Sequence, residues 1–309
     1  MITVQNLCKT YKVAKRKAGM REACRSLFRR EYEEIHALDH ISFQIGDGEM
    51  VGYIGKNGAG KSSTIKVLSG ILTPDEGTCV VNGKIPWKDR ISYVKDIGVV
   101  FGQRSQLWWD VPVIDSFELL RDIYSISQAM YKNNLEELTE LLNLSELLKT
   151  PARQLSLGQR MRCEIAASLL HSPSILFLDE PTIGLDAVSK LAVRDFIKQL
   201  NQDHKTTVIL TTHDMQDIEA LTNRILLIGK GRILMDGSPE ELKQDAASMD
   251  EAVVKLYRSF DEIKRGDESN EKVSLFFSHA LFDGITISRG SSSWSRHPVY
   301  MGIYGTSCL

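Results

Sequence analysis

The chain has 309 residues, of which 42% are hydrophobic and 25% charged, a balance typical of a globular protein that buries a core. Its net charge of −2 at pH 7 argues against attraction of the whole protein to nucleic acid or to an anionic membrane. The five cysteines form no C-x-x-C pair, which favours reduced thiols over a disulfide framework or a zinc site. We expect neither a signal peptide nor a transmembrane helix, because no run of about 18 apolar residues is free of charge.

Short apolar runs alternate with helical patterns, which predicts an α/β domain with a mainly parallel sheet. The predicted strands are Met50–Ile54, Ile97–Phe101, Ile175–Leu178, Thr207–Thr211 and Ile225–Ile228. The spacing i, i+3, i+4, i+7 predicts an amphipathic helix through Val193, Phe196, Ile197 and Leu200. The segment Ile228-Gly-Lys-Gly-Arg-Ile233 predicts a hairpin whose glycines supply the turn.

The chain is predicted to have one main domain, at residues 1–240, followed by an unassigned extension at 241–309. Leucine-rich helical stretches over about residues 115–170 predict a helical subdomain inserted into the sheet domain. The extension becomes serine-rich from Ser269. We therefore expect residues after about 266 to be dispensable for ligand binding.

The segment from Gly55 to Ser62, GKNGAGKS, is a complete G-x-x-x-x-G-K-[ST] phosphate loop between a predicted strand and a predicted helix. Its glycines let successive backbone N–H groups point at phosphate oxygens, and the helix N-terminus adds a favourable dipole. Lys61 would reach the β- and γ-phosphates, and the Ser62 hydroxyl would bind Mg²⁺. A plain glycine-rich turn is the alternative. The predicted ATP-binding residues here are Gly55, Lys56, Asn57, Gly58, Ala59, Gly60, Lys61, Ser62 and Ser63.

Two acidic residues, Asp179 and Glu180, end the buried apolar strand Ile175–Leu178. Burying a carboxylate without a partner costs roughly several kcal/mol, so the needs of folding do not explain why two acids stand at this position. Asp179 is suited to hold Mg²⁺, directly or through water, and Glu180 to take a proton from an attacking water. Capping of the next helix is the alternative role.

The segment Leu155-Ser156-Leu157-Gly158-Gln159 resembles the signature sequence of ABC ATPases, except that Leu157 stands where glycine is usual. Ser156 and Gly158, the positions that meet a γ-phosphate in that family, are retained, and Gln159 follows them. As an isolated pentapeptide the segment could also be a polar helix cap.

Other parts of the ABC pattern follow in order over residues 1–240. The resemblance implies that Gln103 senses Mg²⁺ and faces a membrane partner, and that Tyr11 stacks on adenine. It also implies that Asp186, in Gly184-Leu-Asp186, belongs to a loop that crosses between subunits. His213 is similar to the switch histidine that contacts the γ-phosphate. Alone, such a histidine or tyrosine is more often structural.

The resemblance implies an α/β P-loop NTPase sheet domain of the ABC type with an inserted helical subdomain, using ATP and Mg²⁺ as cofactors. Two copies, identical or paralogous, would pair head to tail, with each ATP between the phosphate loop of one and the signature of the other. The pair would drive separate polytopic membrane subunits from the cytoplasmic side of the membrane, and the resemblance of Phe101–Asp110 to the export branch of the family implies export. No nucleic acid is expected. The alternatives are a non-transport ABC ATPase acting on a nucleic-acid or ribosome complex, and a P-loop kinase.

An insertion at about residues 12–35 exceeds the common ABC pattern. From Lys9 to Arg30 there are nine basic residues and one acid. Met20, Ala23, Cys24 and Leu27 have the spacing of one apolar helical face, and Arg21, Arg25 and Arg29 lie along another. We expect either a solvated charged insertion or a short basic helix on the membrane or the partner.

Overall fold

The computed structural model describes residues 1–14, 32–102, 104–243 and 246–264, all of which belong to one compact unit. The predicted basic helix of the insertion, Gln103 and the serine-rich tail lie outside the described residues. Within them, no helix combines the length and the apolar character that crossing a membrane requires.

The described elements alternate between strands and helices. The strands are β1 (Ile2–Ala14), β2 (Tyr32–Ile45), β3 (Met50–Gly55), β4 (Glu76–Val81), β5 (Ile97–Phe101), β6 (Ile175–Asp179), β7 (Thr207–Thr212), β8 (Arg224–Gly229) and β9 (Arg232–Gly237). The helices are α1 (Lys61–Leu68), α2 (Arg90–Tyr93), α3 (Val113–Tyr124), α4 (Gln128–Leu141), α5 (Leu157–Leu169), α6 (Ala187–His204), α7 (Met215–Leu221), α8 (Pro239–Lys243) and α9 (Met249–Lys264), with a 3₁₀ turn at Ala152–Gln154.

A six-stranded sheet in the order β5-β6-β7-β3-β8-β9 forms the centre of the fold. Its strands are parallel except β9, which pairs antiparallel with β8. The α/β fold class, the five predicted strands and the predicted hairpin are thereby confirmed. Lys230 and Gly231 have φ of 49° and 80°, the left-handed backbone that a tight hairpin turn requires.

The central strand β6 is covered on both faces, as its unbroken apolar run predicts. Leu176 and Leu178 pack in a cluster with residues of α3, α4, α5 and α6, which includes Phe117 of α3. Ile175 and Phe177 point to the other face, where α1 and the smaller sheet cover them. Because successive side chains of a strand alternate in direction, one apolar strand contributes to both halves of the core.

A second, antiparallel sheet has the order β2-β1-β4. Tyr11 of β1 lies opposite Ile35 of β2, and Ala14 lies opposite Tyr32. The first and last residues of the predicted insertion therefore extend this hairpin. The pairing thus places Tyr11 within the smaller sheet, before the part of the insertion that lies outside the described residues.

The last two helices pack against β8, β9 and the end of β3. Met249, Ala252 and Tyr257 of α9 are buried in a cluster with Ile54 and Leu227. Helix α8 crosses residue 240, so the predicted domain boundary falls inside this packed unit. The described part of the extension is thus continuous with the main domain.

Candidate functional site

The phosphate loop connects β3 to α1. At its residue Gly60, directly before α1, the backbone leaves room only for glycine. Gly60 has a φ of 118°, and a Cβ atom there would lie 2.4 Å from the carbonyl oxygen of Ala37. No side chain caps α1, whose N-cap is Gly60. The first N–H groups of α1 are therefore available to an anionic ligand, which the helix dipole favours.

Lys61 lies inside the loop with 6% of its surface exposed. Its Nζ donates to the carbonyl oxygens of Gly55 at 2.6 Å and of Lys56 at 3.4 Å. Burial lowers the pKa of Lys61, and the nearby carboxylates of Glu180 and Asp179 partly oppose that effect. The negative charge of a phosphate group in the loop would favour the charged ammonium group and so oppose the effect of burial.

Asp179 ends β6 and faces the start of α1. Its Oδ1 accepts a hydrogen bond from the Thr211 hydroxyl at 2.5 Å and from the Ser62 hydroxyl at 3.5 Å. A carboxylate and a hydroxyl side by side are hard oxygen ligands, the type that Mg²⁺ prefers. The residues present therefore fit a magnesium ion between Ser62 and Asp179.

Glu180 and His213 form a pair at the same edge of the sheet. The Nδ1 of His213 lies 2.9 Å from the Oε2 of Glu180. Glu180 has a φ of 56°, a backbone conformation that roughly costs 1–3 kcal/mol for a residue with a side chain. Its N–H donates to the Thr211 carbonyl oxygen at 2.9 Å, which holds this conformation in place.

A buried ion pair fixes the segments that follow Glu180 and precede His213. Arg194 Nε donates to Asp217 Oδ1 at 2.6 Å. The other oxygen of Asp217 accepts hydrogen bonds from the hydroxyls of Thr182 and Thr212. Asp217 has no exposed surface, and its hydrogen bonds join Thr182, two residues after Glu180, to Thr212, the residue before His213.

Tyr11 lies beside the loop at the start of α1. Its hydroxyl is 3.4 Å from the Ser63 hydroxyl. This position puts an aromatic ring next to the phosphate loop, where the predicted stacking on adenine requires it. The stacking itself stays a prediction.

The signature segment starts α5 and also contacts α6. Ser156 is the N-cap, and it exchanges hydrogen bonds with Gln159 in a capping box. A Cβ atom at Gly158 would lie 2.3 Å from the Ser189 hydroxyl, so only glycine fits there. Asp186 caps α6, and the hydrogen bond from the Ser189 N–H, followed by that from its hydroxyl, lowers the pKa of Asp186.

Glu164 connects α5 to the segment after β5. It is 4% exposed, and its carboxylate accepts hydrogen bonds from the Ser105 hydroxyl and from the Gln106 N–H. Burial raises the pKa of Glu164, against the effect of those donors. The helix that begins with the signature is therefore tied to the residues that follow Gln103.

The predicted site residues fall into two groups. One group surrounds the phosphate loop: Tyr11, Lys61, Ser62, Asp179, Glu180 and His213. The other lies at the starts of α5 and α6: Ser156, Gly158, Gln159 and Asp186. Sequence reasoning missed Thr211, Asp217 and Glu164. The sequence offered a signal for Thr211, because Thr211 and Thr212 end the buried strand β7 and so bring hydroxyl groups to the edge of the sheet where the loop lies.

Comparison with known proteins gives one consistent result. The family model described as ABC transporter matches residues 38–183. NatA, an ABC transporter ATP-binding protein of Bacillus subtilis (strain 168), is 29% identical over 227 residues, which are 74% of this chain and 92% of that protein. The daunorubicin resistance ATP-binding protein DrrA3 of Streptomyces coeruleorubidus is 33% identical over 216 residues, which cover 70% of this chain and 68% of that protein. A solved dimeric post-hydrolysis state of the ATP-binding cassette MJ0796, bound to ADP and Pi, is similar with a TM-score of 0.64 at 26% identity, over 77% of this chain and 98% of that one.

Proposed function

This chain belongs to the ABC transporter family, and we propose that the residues around its phosphate loop bind and hydrolyse ATP in the roles described here. It is an ATP-hydrolysing subunit of an ATP-driven transporter. The observation that carries the assignment of roles is the meeting of Lys61, Asp179 and the Glu180–His213 pair at one edge of the parallel sheet.

In this proposal, the loop N–H groups and Lys61 bind the phosphates. Tyr11 stacks on the adenine ring. Ser62 and Asp179 hold Mg²⁺, with Gln103 contributing from the segment after β5. When bound, Mg²⁺ supplies positive charge that neutralises the phosphate oxygens.

Glu180 acts as the general base. It accepts a proton from water as the water oxygen attacks the γ-phosphorus, and the bond to the bridging oxygen breaks to release ADP. His213, hydrogen-bonded to Glu180, orients that carboxylate and contacts the γ-phosphate. The left-handed backbone at Glu180 is a cost that supports a functional role, since strained residues cluster at active sites.

We further propose that two ATP-binding subunits pair head to tail, either as a homodimer or with a paralogue. Ser156, Gly158 and Gln159 of one copy would contact the γ-phosphate bound to the other, with Asp186 at the crossing between them. The placement of these residues at the start of α5, apart from the loop, supports a role across an interface. The dimeric state of the MJ0796 cassette supports the same arrangement.

We propose that separate polytopic membrane subunits are driven from the cytoplasmic side of the membrane, in the export direction. The name of the daunorubicin resistance relative supports export. The segment after β5 supports a large partner, because Trp108 and Trp109 are 59% and 52% exposed there. Exposed tryptophans are typical of interfaces.

The catalytic assignment is tested with purified chain and two variants. Glu180→Gln keeps the side-chain shape but removes the base, so turnover should fall by roughly 100-fold or more while ATP still binds. Lys61→Ala should instead lose ATP binding. Near-normal turnover of Glu180→Gln would contradict the role of Glu180 as base.

The transport assignment is tested by co-expression with a polytopic membrane protein encoded beside this chain. Co-purification in detergent, with ATPase activity that responds to a transported compound, is the expected result. The matched control is Trp108→Ser with Trp109→Ser, which should weaken the association and leave ATP binding unchanged. Equal association of that variant would place the partner elsewhere.

A further inference from the structure

Helix α9, near the end of the described chain, reaches the phosphate loop through Tyr257. The Tyr257 hydroxyl accepts a hydrogen bond from the Lys56 N–H at 2.9 Å and donates one to the Ile228 carbonyl oxygen at 2.6 Å. The Lys56 ammonium lies 4.3 Å from the centre of the Tyr257 ring, within the range of a cation–π contact. Lys56 is the second residue of the loop, 201 residues from Tyr257.

Two glycines leave the space that this tyrosine fills. A Cβ atom at Gly55 would lie 3.2 Å from the Tyr257 hydroxyl, and one at Gly229 would lie 2.9 Å from its ring. The side chain is 5% exposed and packs in the cluster that contains Ile54, the last apolar residue before the loop. Tyr257 is therefore built into the turn from β3 into the loop.

The peptide group that Tyr257 contacts is also held by Lys61, the second lysine of the loop. The peptide N–H of Lys56 is held by Tyr257, and the Lys56 and Gly55 carbonyl oxygens accept from Lys61 Nζ. Tyr257 and Lys61 thus hold the Gly55–Lys56 peptide group from opposite sides, through its N–H and its carbonyl oxygen, and Lys61 also reaches the next carbonyl oxygen. We propose that Tyr257 is a positioning residue that preorganises the phosphate loop for ATP through the Lys56 N–H, so that α9 and nucleotide binding are coupled.

This inference rests on the proposed binding of ATP by the phosphate loop. A glycine-rich loop has many accessible conformations, and ATP binds the subset with its N–H groups converging. When only a fraction of molecules has that conformation, the apparent dissociation constant rises by the inverse of the fraction. Removing the hydroxyl that holds the Lys56 N–H should lower that fraction.

The test compares Tyr257→Phe with Tyr93→Phe in the full chain. Tyr257→Phe keeps the ring and its contact with Lys56 but removes two hydrogen bonds, the one to the Ile228 carbonyl oxygen and the one that holds the Lys56 N–H of the loop. Loss of the one hydrogen bond that reaches the loop corresponds to roughly a 2- to 10-fold change in an equilibrium constant, so KM for Mg·ATP should rise by that factor. The kcat should change less than about 2-fold, because Glu180 and His213 are untouched. Tyr93 is a matched control, since its buried hydroxyl donates to the Leu68 carbonyl oxygen at the far end of α1.

A purely structural tyrosine would give a different result. Both variants would then lose thermal stability, and neither would change KM. An unchanged KM in folded Tyr257→Phe overturns the inference. If Lys61→Ala binds ATP as well as the wild type does, the proposed function fails instead, whatever Tyr257→Phe does.

Hydrogen exchange gives a second measurement that does not depend on the variant folding well. Coupling between two sites is reciprocal, so a non-hydrolysable ATP analogue should slow amide exchange in α9 of the wild-type chain. Exchange in α4, far along the chain from the loop, is the internal reference. Equal exchange of α9 with and without the analogue, while the loop itself becomes protected, would contradict the coupling.

Discussion

Thr211→Val probes how the magnesium ligand Asp179 is held. The hydroxyl of Thr211 is fully buried and donates to Asp179 Oδ1 at 2.5 Å. Valine has nearly the same shape but no donor. The Glu180 N–H keeps a partner in the variant, because it also donates to the Thr211 carbonyl oxygen. The substitution therefore removes the charge-assisted hydrogen bond to Asp179, together with the longer contact at 3.2 Å from the Glu180 N–H to the same hydroxyl.

The loss of that bond should lower the free energy of unfolding by about 1.5–3 kcal/mol, the range for hydrogen bonds to charged groups. The same loss frees Asp179 to rotate away from Ser62. Substituting a group that orients a metal ligand costs about 10- to 100-fold in metal affinity. The Mg²⁺ concentration that half-saturates ATP hydrolysis should rise by that factor.

Thr207→Val is the control, since Thr207 lies in the same strand about 13 Å away, at roughly 3.3 Å per residue. Its hydroxyl accepts from the Gly48 N–H at 2.8 Å, away from the loop. That variant should lose about 0.5–1.5 kcal/mol of stability with no change in the magnesium requirement. Urea unfolding and magnesium titration of the ATPase measure both effects. An unchanged magnesium requirement in Thr211→Val, or an equal rise in both variants, would refute the role of Thr211.

Three further predictions concern other parts of the described chain. Glu164→Ala removes a buried acceptor of the Ser105 hydroxyl and of the Gln106 N–H and should cost about 1–3 kcal/mol in urea unfolding, whereas the exposed Glu140→Ala should cost little. Hydrogen bonds lower the pKa of Asp186 in the folded chain. Its ionised form therefore stabilises the fold at pH values above the pKa of the unfolded chain, about 3.9, and this stabilisation is lost as the pH falls through the folded pKa. Asp186→Asn keeps the cap without the charge, so its stability should fall less than that of the wild type between about pH 5 and pH 3; parallel curves would argue against this effect. Truncation after Gly266 retains α9 and should leave ATP affinity unchanged, and a folded truncated chain that loses ATP affinity would show the tail to be required.

The sequence was sufficient for the sheet domain and the phosphate loop, because both depend on local patterns. The five predicted strands agree with β3, β5, β6, β7 and β8 because unbroken apolar runs are typical of buried parallel strands. The glycines of the loop motif permit the backbone turn that the loop makes, such as the φ of 118° at Gly60. Since parallel strands end at one edge, Asp179 and His213 were bound to lie near it.

The rest depends on contacts between distant segments. Met249, Ala252, Val253, Leu256 and Tyr257 have the helical spacing that predicts a buried face, but spacing does not name the surface that covers it. Likewise, Arg194 and Asp217 look like ordinary charges of two helices until packing brings them together. The capping box at Ser156 confirms that the signature segment caps a helix. Its contact with the γ-phosphate of a partner copy stays a prediction.

Sedimentation velocity of Glu180→Gln with and without Mg·ATP tests the central claim most directly. If Glu180 is the base and each ATP lies between two copies, this variant should form a dimer that retains ATP. Glu180→Gln with Ser156→Arg should bind ATP but stay monomeric, because the signature can no longer approach the γ-phosphate of the partner. A Glu180→Gln chain that binds ATP yet stays monomeric, or a dimer that survives Ser156→Arg, would contradict the account.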